Sequence, residues 1–483
     1  MLAGISVVEP EIDPEILGLT ADSRMVGPGF LFAALPGTHH DGRAYIADAV
    51  ARGAAAVLAP DGTAWPQGVA SRPFLLDPEP RRALALLAAR FHGQQPRDVA
   101  AVTGTNGKTS TVDFLRQIFA AGGRHAASIG TLGVIGPQGR MGDSLTTPDP
   151  IVLHATLAQL ARDGIDSLAI EASSHGLDQF RLDGVRIGVA GFTNLTRDHL
   201  DYHGTIEAYR AAKLRLFDAL LAEGAAAILH SALDHETVAA MQAIAARRNL
   251  RLARAGEGGD LAVLLAHCPR PDGQVLRLVL DGSAAELMLP LAGKFQADNF
   301  MLAAAMAVRI GVPAPVVLRA AESLRPVRGR MELAARLGNG ASVYVDYAHT
   351  PDALARLVAS LRPHAGPGGR LILVFGAGGD RDSGKRPLMG RAACAADIVI
   401  VTDDNPRSEE PETIRAAVMA GCPEAIDGGE RSAAIARALE LARGPDVIAV
   451  AGKGHEQGQE ISGAILPFDD VGVVCALAGG SAR

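Results

Sequence analysis

Cysteine is scarce and carries no pattern: the 483 residues hold four, Cys268, Cys394, Cys422 and Cys475, with no C-x-x-C pair. Such a set predicts no disulfide framework and suits a reducing compartment. A basic excess is missing too. Lys and Arg total 46 against 53 Asp and Glu, a formal net charge of −7. No global positive field draws nucleic acid, so an anionic small molecule has to be held by local clusters. Long apolar runs are absent: Ala83–Ala89 is bracketed by arginines and far too short to cross a bilayer. The opening MLAGISVVEPEIDPEI has no basic start and turns acidic by Glu9. A cytoplasmic protein without membrane insertion is expected. There is no repeat at solenoid periods and no low-complexity tract.

What is present is an ordinary soluble composition, 48% hydrophobic and 20% charged, on a chain too long for one core. Three α/β regions emerge, 1–91, 92–326 and 327–483. The first ends in an Ala/Leu-rich helix, Arg81–Phe91. The second has strands at Val99–Val102, Ser167–Ile170 and Val189–Phe192 and a long helix, Ile206–Leu221. The third opens after Leu324-Arg325-Pro326, with strands at Ser342–Val345, Leu371–Phe375, Ile398–Val401 and Val447–Val450. Polar, Gly-rich or charged loops follow these strands. Ligands in open parallel sheets sit beyond strand carboxyl ends, so two half-sites facing one cleft are expected.

The most informative stretch is DVAAVTGTNGKTSTV, residues 98–112. An apolar strand runs into Gly104-Thr105-Asn106-Gly107-Lys108-Thr109, and helix-spaced apolar residues follow (Val112, Leu115, Ile118, Phe119). A strand, a Gly-containing turn and a helix N-terminus aim backbone N–H groups at an anion. Lys108 adds a charge for the outer phosphates and Thr109 a hydroxyl for Mg²⁺. The usual phosphate loop has a Gly six residues before its Lys; here Val102 stands there. The loop reads as a shortened nucleotide-binding variant.

Other constellations read less sharply. Glu171 follows an apolar strand and is either a Mg²⁺ ligand or a solvated loop carboxylate. His199 and His203 have zinc-protease spacing, but Leu200 stands where the catalytic Glu should follow, so His199 beside a phosphate-bound Mg²⁺ is the better use. GAGGDRDSGKRP (376–387) lacks the third Gly of a dinucleotide fingerprint and carries three cations suited to carboxylate or phosphate. Asp404-Asn405-Pro406-Arg407 is a rigid turn presenting one guanidinium, and Glu456 in AGKGHE offers a counter-charge for an ammonium group. Lys213, on an amphipathic helix, reads from spacing alone as an exposed lysine.

Together the segments TGTNGKTST, EASSHGL, NLTRDHLDYHG, YRAAKLRLF, GRME, DYAHTPDAL, FGAGGDRDSGKRPLMG, DDNPRSEEP and AGKGHE resemble the Mur ligases, the ATP-dependent amide-forming enzymes of peptidoglycan assembly. The stretch 22–42 looks like the nucleotide-sugar domain of a member acting on UDP-N-acetylmuramoyl-L-alanyl-D-glutamate. The resemblance implies a small α/β nucleotide-sugar domain, a central P-loop-type parallel-sheet ATPase domain and a C-terminal Rossmann-like α/β domain. It implies ATP and Mg²⁺, no nucleic-acid partner, and a monomer. A D-x-P-R turn in this family marks addition of meso-diaminopimelate, and lysine-adding relatives lack that arginine.

Carried over residue by residue, the resemblance gives ATP to Gly104, Thr105, Asn106, Gly107, Lys108, Thr109, Ser110, Asn299 and Arg330. Ser23, Thr146, Thr147, Ser173, Gln179 and Arg181 fall to the UDP-muramoyl dipeptide. Arg381, Asp404, Asn405, Pro406, Arg407, Gly452 and Glu456 fall to diaminopimelate. Thr109, Glu171, His199 and Lys213 as its N-carbamate fall to the metal, and Lys108, Lys213 and His199 to catalysis. Leu145 stands where an asparagine often precedes the Thr pair, and Gly458 where a tyrosine often follows GHE. The third region is expected to move about Arg325–Gly329. A lysine-adding ligase, a folate-polyglutamylating relative, a regulatory P-loop NTPase and a zinc hydrolase remain as alternatives.

Overall fold

The computed structural model describes residues 6–8, 13–37, 40–142 and 145–479. Most of the opening stretch, and Thr38 and His39 within 22–42, lie outside the described residues. The chain separates into two compact units, Met1–Ala253 and Arg254–Arg483, the division falling inside the strand Arg251–Gly256.

The first unit holds two sheets. The smaller has strand order Ser6–Val8, Phe74–Asp77, Ala56–Pro60, Phe30–Ala33, Gly18–Thr20, parallel except for its first strand. The helix Pro80–His92 covers one face, burying Ala83, Leu84 and Ala88. In the larger sheet the strand Asp98–Thr103 lies between the parallel strands Ser167–Glu171 and Ile187–Phe192. Ala126–Gly130 and Leu221–His230 flank these, also in parallel. Val99 to Val102 are fully buried, as a strand covered on both faces requires. Val112, Leu115, Ile118 and Phe119 of the helix Lys108–Ala121 are buried as their spacing demands. The parallel register sends the loops after Thr103, Glu171 and Phe192 out at one edge.

Two expectations need correction. The helix from Ile206 does not run to Leu221. It is α-helical to Arg215, takes one π-helical turn over Leu216–Leu220, and gives way to a strand starting at Leu221. Leu216, Phe217 and Leu221 are all buried, and periodicity in an apolar run cannot mark where the backbone changes form. Second, Cys394 and Cys422 form a disulfide, with Cα atoms 5.9 Å apart. Cys394 caps the helix Lys385–Ala393 and Cys422 follows Pro411–Met419. The packing of these two helices, invisible in a 28-residue spacing, brings the thiols together.

The second unit begins with antiparallel strands Ala262–Arg270, Gly273–Leu280 and Ser283–Leu289 and the helices Lys294–Arg309 and Ala314–Ala321. Its six-stranded sheet has the order Glu332–Arg336, Ser342–Asp346, Val447–Ala451, Leu371–Phe375, Ile398–Thr402, Ile426–Gly429, parallel except at the first strand. Side chains from both faces of this sheet are buried under helices. The three-domain α/β expectation is met by these sheets. Within this unit His364 accepts a hydrogen bond from the Gly293 N–H at 2.8 Å and, at 2.7 Å, meets the Arg270 carbonyl through Nδ1. Among the described residues no helix is long and apolar enough to cross a membrane.

Candidate active site

The phosphate loop is short because its strand is long. Val102, standing where a longer loop would begin, is a buried strand residue opposite Glu171 and Gly191. Gly104 has φ +142°, and a side chain there would run into the Thr193 hydroxyl. The loop is braced by 193–196. The Thr105 N–H donates to the Asn194 carbonyl and the Asn106 N–H to Asn194 Oδ1, both at 2.9 Å. Thr193 Oγ1 donates to the Asn106 carbonyl at 2.6 Å. Gly107 (φ +85°) then starts the helix, whose first-turn N–H groups at Lys108, Thr109 and Ser110 have no intrahelical acceptor.

Two amines converge on this loop. Lys108 Nζ donates to the Gly104 and Thr105 carbonyls at 2.9 Å, and Lys213 Nζ to the same Gly104 carbonyl at 2.8 Å. Burial lowers the pKa of Lys108, with Glu171 and Asp198 opposing. Lys213 is only 1% exposed, with its ammonium over the Tyr209 ring. Burial, then the neighbouring Lys108 charge, push its pKa down to about 6. The expectation of an exposed helix lysine from spacing is therefore overturned, because the helix turns this face inward.

Glu171 is buried, and burial raises its pKa against hydrogen bonds from Thr131 and Thr109 and the charge of Lys108. Its Oε1 accepts from the Thr131 N–H at 2.9 Å. A buried carboxylate beside a hydroxyl is a hard-oxygen donor pair that a divalent cation would restore to its charged form. These residues fit Mg²⁺, which needs only one or two carboxylates when phosphate and water complete its shell. His199 (φ +51°) is half exposed on the 193–203 stretch, its ring 5.0 Å from His175 and its Nε2 3.6 Å from Asp198. His203 also packs on His175, ring centroids 5.5 Å apart. Among the described residues no group of three or more His, Cys, Asp or Glu is arranged to hold a metal ion.

A cavity of about 490 Å³ in the first unit is lined by residues of both sheets' domains, Asp22, Met25, Arg81, Asp149, Gln179 and Arg181 among them. Arg181 is held by its Nη1 bond to the Thr147 carbonyl at 2.7 Å and by Gln179 Oε1. Thr147 Oγ1 donates to the Glu171 carbonyl and accepts from Ser173 Oγ, while Thr146 Oγ1 sits 3.0 Å from Thr131 Oγ1. Four of the sequence candidates, Thr147, Ser173, Gln179 and Arg181, thus form one network. Ser23 is buried in the turn whose neighbours Asp22 and Met25 line the cavity. Arg81, Asp149 and Tyr202, which accepts from Gln179 Nε2 at 3.1 Å, were not singled out by the sequence. Arg81 reads only as an exposed helix arginine.

In the second unit, the loops after two strands of the six-stranded sheet meet. Asn405 Oδ1 accepts from Lys453 Nζ at 2.8 Å and from the Glu460 N–H at 3.0 Å. Both partners are donors, so the amide must present its oxygen to them, and Nδ2 faces Glu456 Oε2 at 3.2 Å. Asp404 is buried beside Gly452, where φ is +120° and a side chain would collide with its carboxylate. Pro406 is buried, and its carbonyl lies where any side chain on Gly379 would go. Arg407 Nη1 donates to the Gly379 carbonyl at 2.7 Å. Arg381 is exposed, whereas Arg386 grips Glu409 at 2.8 Å and so braces the turn from behind. Beneath the two loops Arg431 and Asp470 form a fully buried ion pair at 2.7 Å. Burial opposes the charge of Arg431, but Asp470 more than offsets this and the pKa is raised. Arg431 also donates to the Ala451 and Asp403 carbonyls, the last positions before the two loops. Lys453, fully buried, has its pKa lowered by burial, with Asp404 opposing. Sequence reasoning passed over Lys453, although it lies between two glycines after an apolar strand. Nothing in the spacing links Arg431 with Asp470.

Two further nucleotide candidates belong to this unit. Asn299 is buried and donates to Gln296 Oε1 at 3.4 Å. Arg330 lies over the Tyr347 ring, 4.9 Å from its centroid.

Comparisons with known proteins identify the family. Residues 15–92 match the Mur ligase family catalytic domain, 102–307 the Mur ligase middle domain, and 329–454 the Mur ligase glutamate ligase domain. The chain belongs to the Mur ligase family. It is similar to the UDP-N-acetylmuramoyl-L-alanyl-D-glutamate--2,6-diaminopimelate ligase of Caulobacter vibrioides, 52% identical over 95% of this chain and 94% of the relative. The protein of that name from Agrobacterium fabrum is 50% identical over 94% and 92%. A solved structure of a ligase of the same name superposes with a TM-score of 0.78 at 33% identity, covering 96% of this chain and 95% of that one.

Proposed function

We propose that the protein joins meso-diaminopimelate to UDP-N-acetylmuramoyl-L-alanyl-D-glutamate with cleavage of ATP to ADP and phosphate. The observation that carries this reading is the meeting of the 404–407 turn with the 452–456 loop, joined through Asn405 and Glu456. Diaminopimelate is lysine with an added carboxylate on a second α-centre. A pocket for it needs one more cation than a pocket for lysine, and Arg407 supplies it, with Arg381 at its mouth. Asp404, Gly452 and Glu456 receive the ammonium and other polar groups, and Pro406 fixes the turn.

The carboxylate of the D-glutamate side chain is a poor acyl donor because it is anionic and has no leaving group. Its oxygen attacks the γ-phosphorus, the bond to the β-bridging oxygen breaks, and ADP leaves. The amine of diaminopimelate then adds to the acyl phosphate carbon, and phosphate departs as the amide forms and the amine loses its proton. The loop 104–110 and Lys108 hold the transferring phosphates, and Asn299 and Arg330 the remainder of the nucleotide. Positioning and charge neutralisation supply most of the acceleration in such transfers. Mg²⁺, held by Thr109, Glu171, His199 and carbamylated Lys213, would spread phosphate charge. An amine whose pKa is about 6 is largely uncharged at pH 7, the form that adds to CO₂. Ser23, Thr146, Thr147, Ser173, Gln179 and Arg181 orient the UDP-dipeptide. The reading carries with it a cytoplasmic monomer.

The test is mass analysis of the product formed from ATP, the UDP-dipeptide and either diaminopimelate or L-lysine, with phosphate release followed in parallel. Product with diaminopimelate and little with lysine is expected. Phosphate release without amide overturns the reading.

A further inference from the structure

We propose that Glu460 is a positioning residue that sets the guanidinium of Arg407 for the distal carboxylate of the amino acid, an inference resting on the reading above of this pocket. Glu460 belongs to a two-stranded hairpin, Gly458–Ile461 paired antiparallel with Ala464–Pro467. The hairpin is bound to the 404–407 turn along its length. Gln459 Nε2 donates to the Asp404 carbonyl at 2.6 Å, and the Glu460 N–H to Asn405 Oδ1 at 3.0 Å. The Arg407 N–H donates to the Glu460 carbonyl at 3.0 Å, and the Ser462 N–H to the Arg407 carbonyl at 2.7 Å. These two bonds fix Arg407 in a left-handed conformation, φ +53°, that non-glycine residues seldom adopt.

The side chain is fixed by the same hairpin. Arg407 Nε donates to Glu460 Oε2 at 3.0 Å while Nη1 donates to the Gly379 carbonyl. Nη2 has no partner among the described residues. A guanidinium presents its donors in a rigid fork, so two ties on one plane determine where the remaining donors point. Those donors are left for a carboxylate. One residue therefore orders both polar groups assigned to selectivity, Asn405 through its main chain and Arg407 through its carboxylate.

Glu460→Ala and Glu460→Gln are to be compared with the unaltered enzyme, measuring KM and kcat for diaminopimelate, ATP and the UDP-dipeptide, lysine use, and the unfolding midpoint. Loss of a charge-assisted bond predicts a diaminopimelate KM raised about 10- to 100-fold in Glu460→Ala. The preference over lysine narrows by the same factor, because lysine has no distal carboxylate to lose. KM for ATP and the UDP-dipeptide, and kcat at saturating diaminopimelate, stay unchanged. Glu460→Gln keeps an acceptor for Nε and recovers most of the effect. Unchanged diaminopimelate KM and selectivity in Glu460→Ala overturn the inference alone. So does a rise in all three KM values alongside a lowered unfolding midpoint, which marks a merely structural role. An unaltered enzyme that makes no diaminopimelate product overturns the parent reading as well.

Discussion

At the phosphate loop, Lys108 and Lys213 crowd the same carbonyl, and neither has an ion-pair partner among the described residues. In the second unit, Lys453, Asn405, Glu456, Arg407 and Glu460 are bonded to one another. The first arrangement leaves the buried Lys108 charge without a paired carboxylate, so an incoming anion gains by supplying one. The second is already satisfied and rigid, so a ligand gains only if its own groups match the donors left over. A triphosphate, present in every turnover, suits the former. An amino acid that must be told from its decarboxylated analogue suits the latter.

On the proposed reading Arg407 is the selecting cation, and removing it should break the second site most severely. Arg407→Ala leaves a buried carboxylate of the substrate unpaired, and kcat/KM for diaminopimelate should fall about 30- to several-thousand-fold. ATP binding, followed by titration calorimetry, should be unaffected. At the first site Lys108→Ala should lower kcat about 100- to 1,000-fold for diaminopimelate and for any lysine use alike, since its proposed role is on the phosphate and not on the acceptor. Phosphate release with each acceptor separates the two patterns.

Lys213 sharpens the contrast through CO₂. Because its pKa lies at about 6, the amine is uncharged at neutral pH and open to carbamylation. Stripping CO₂ from the buffer should lower turnover, and bicarbonate should restore it. A carbamate resonance with ¹³C-bicarbonate, absent in Lys213→Ala, is the direct check. The smallest expected effect concerns stability. His364 is buried, and burial lowers its pKa from the ordinary 6.5. A depressed histidine contributes stability that is complete above the unfolded value and is lost as pH falls below it. The unfolding midpoint should therefore drop on acidification below about pH 6.5, and His364→Gln should lessen that drop.

Much of this was legible in the chain. The apolar strands, the phosphate loop and the turn 404–407 announce themselves through local pattern, because strand burial, a left-handed glycine and a rigid proline are each dictated by adjacent residues. Gln179, Arg181, Thr147 and Ser173 were reached only through family resemblance, since their network joins segments 26 to 34 residues apart. Arg81, Lys453 and Glu460 were not reached. Each is a common charged residue whose meaning depends on what another element brings alongside. The π-helical turn at 216–220 and the Cys394–Cys422 pairing fall in the same class, being decided by packing and not by spacing.

The buried pair Arg431–Asp470 ties the fate of the last helix to the pocket. Asp470 opens Asp470–Leu477, a helix to which no ligand role is assigned, yet it is the paired carboxylate of the cation that holds the ends of two loop-bearing strands. A chain truncated ahead of it would leave a guanidinium stranded in the interior, at about 3–5 kcal/mol. The last helix thus acts as a keystone: the same eight residues bury Val474 against the sheet and supply the counter-charge beneath the two loops, so trimming them would disturb both at once.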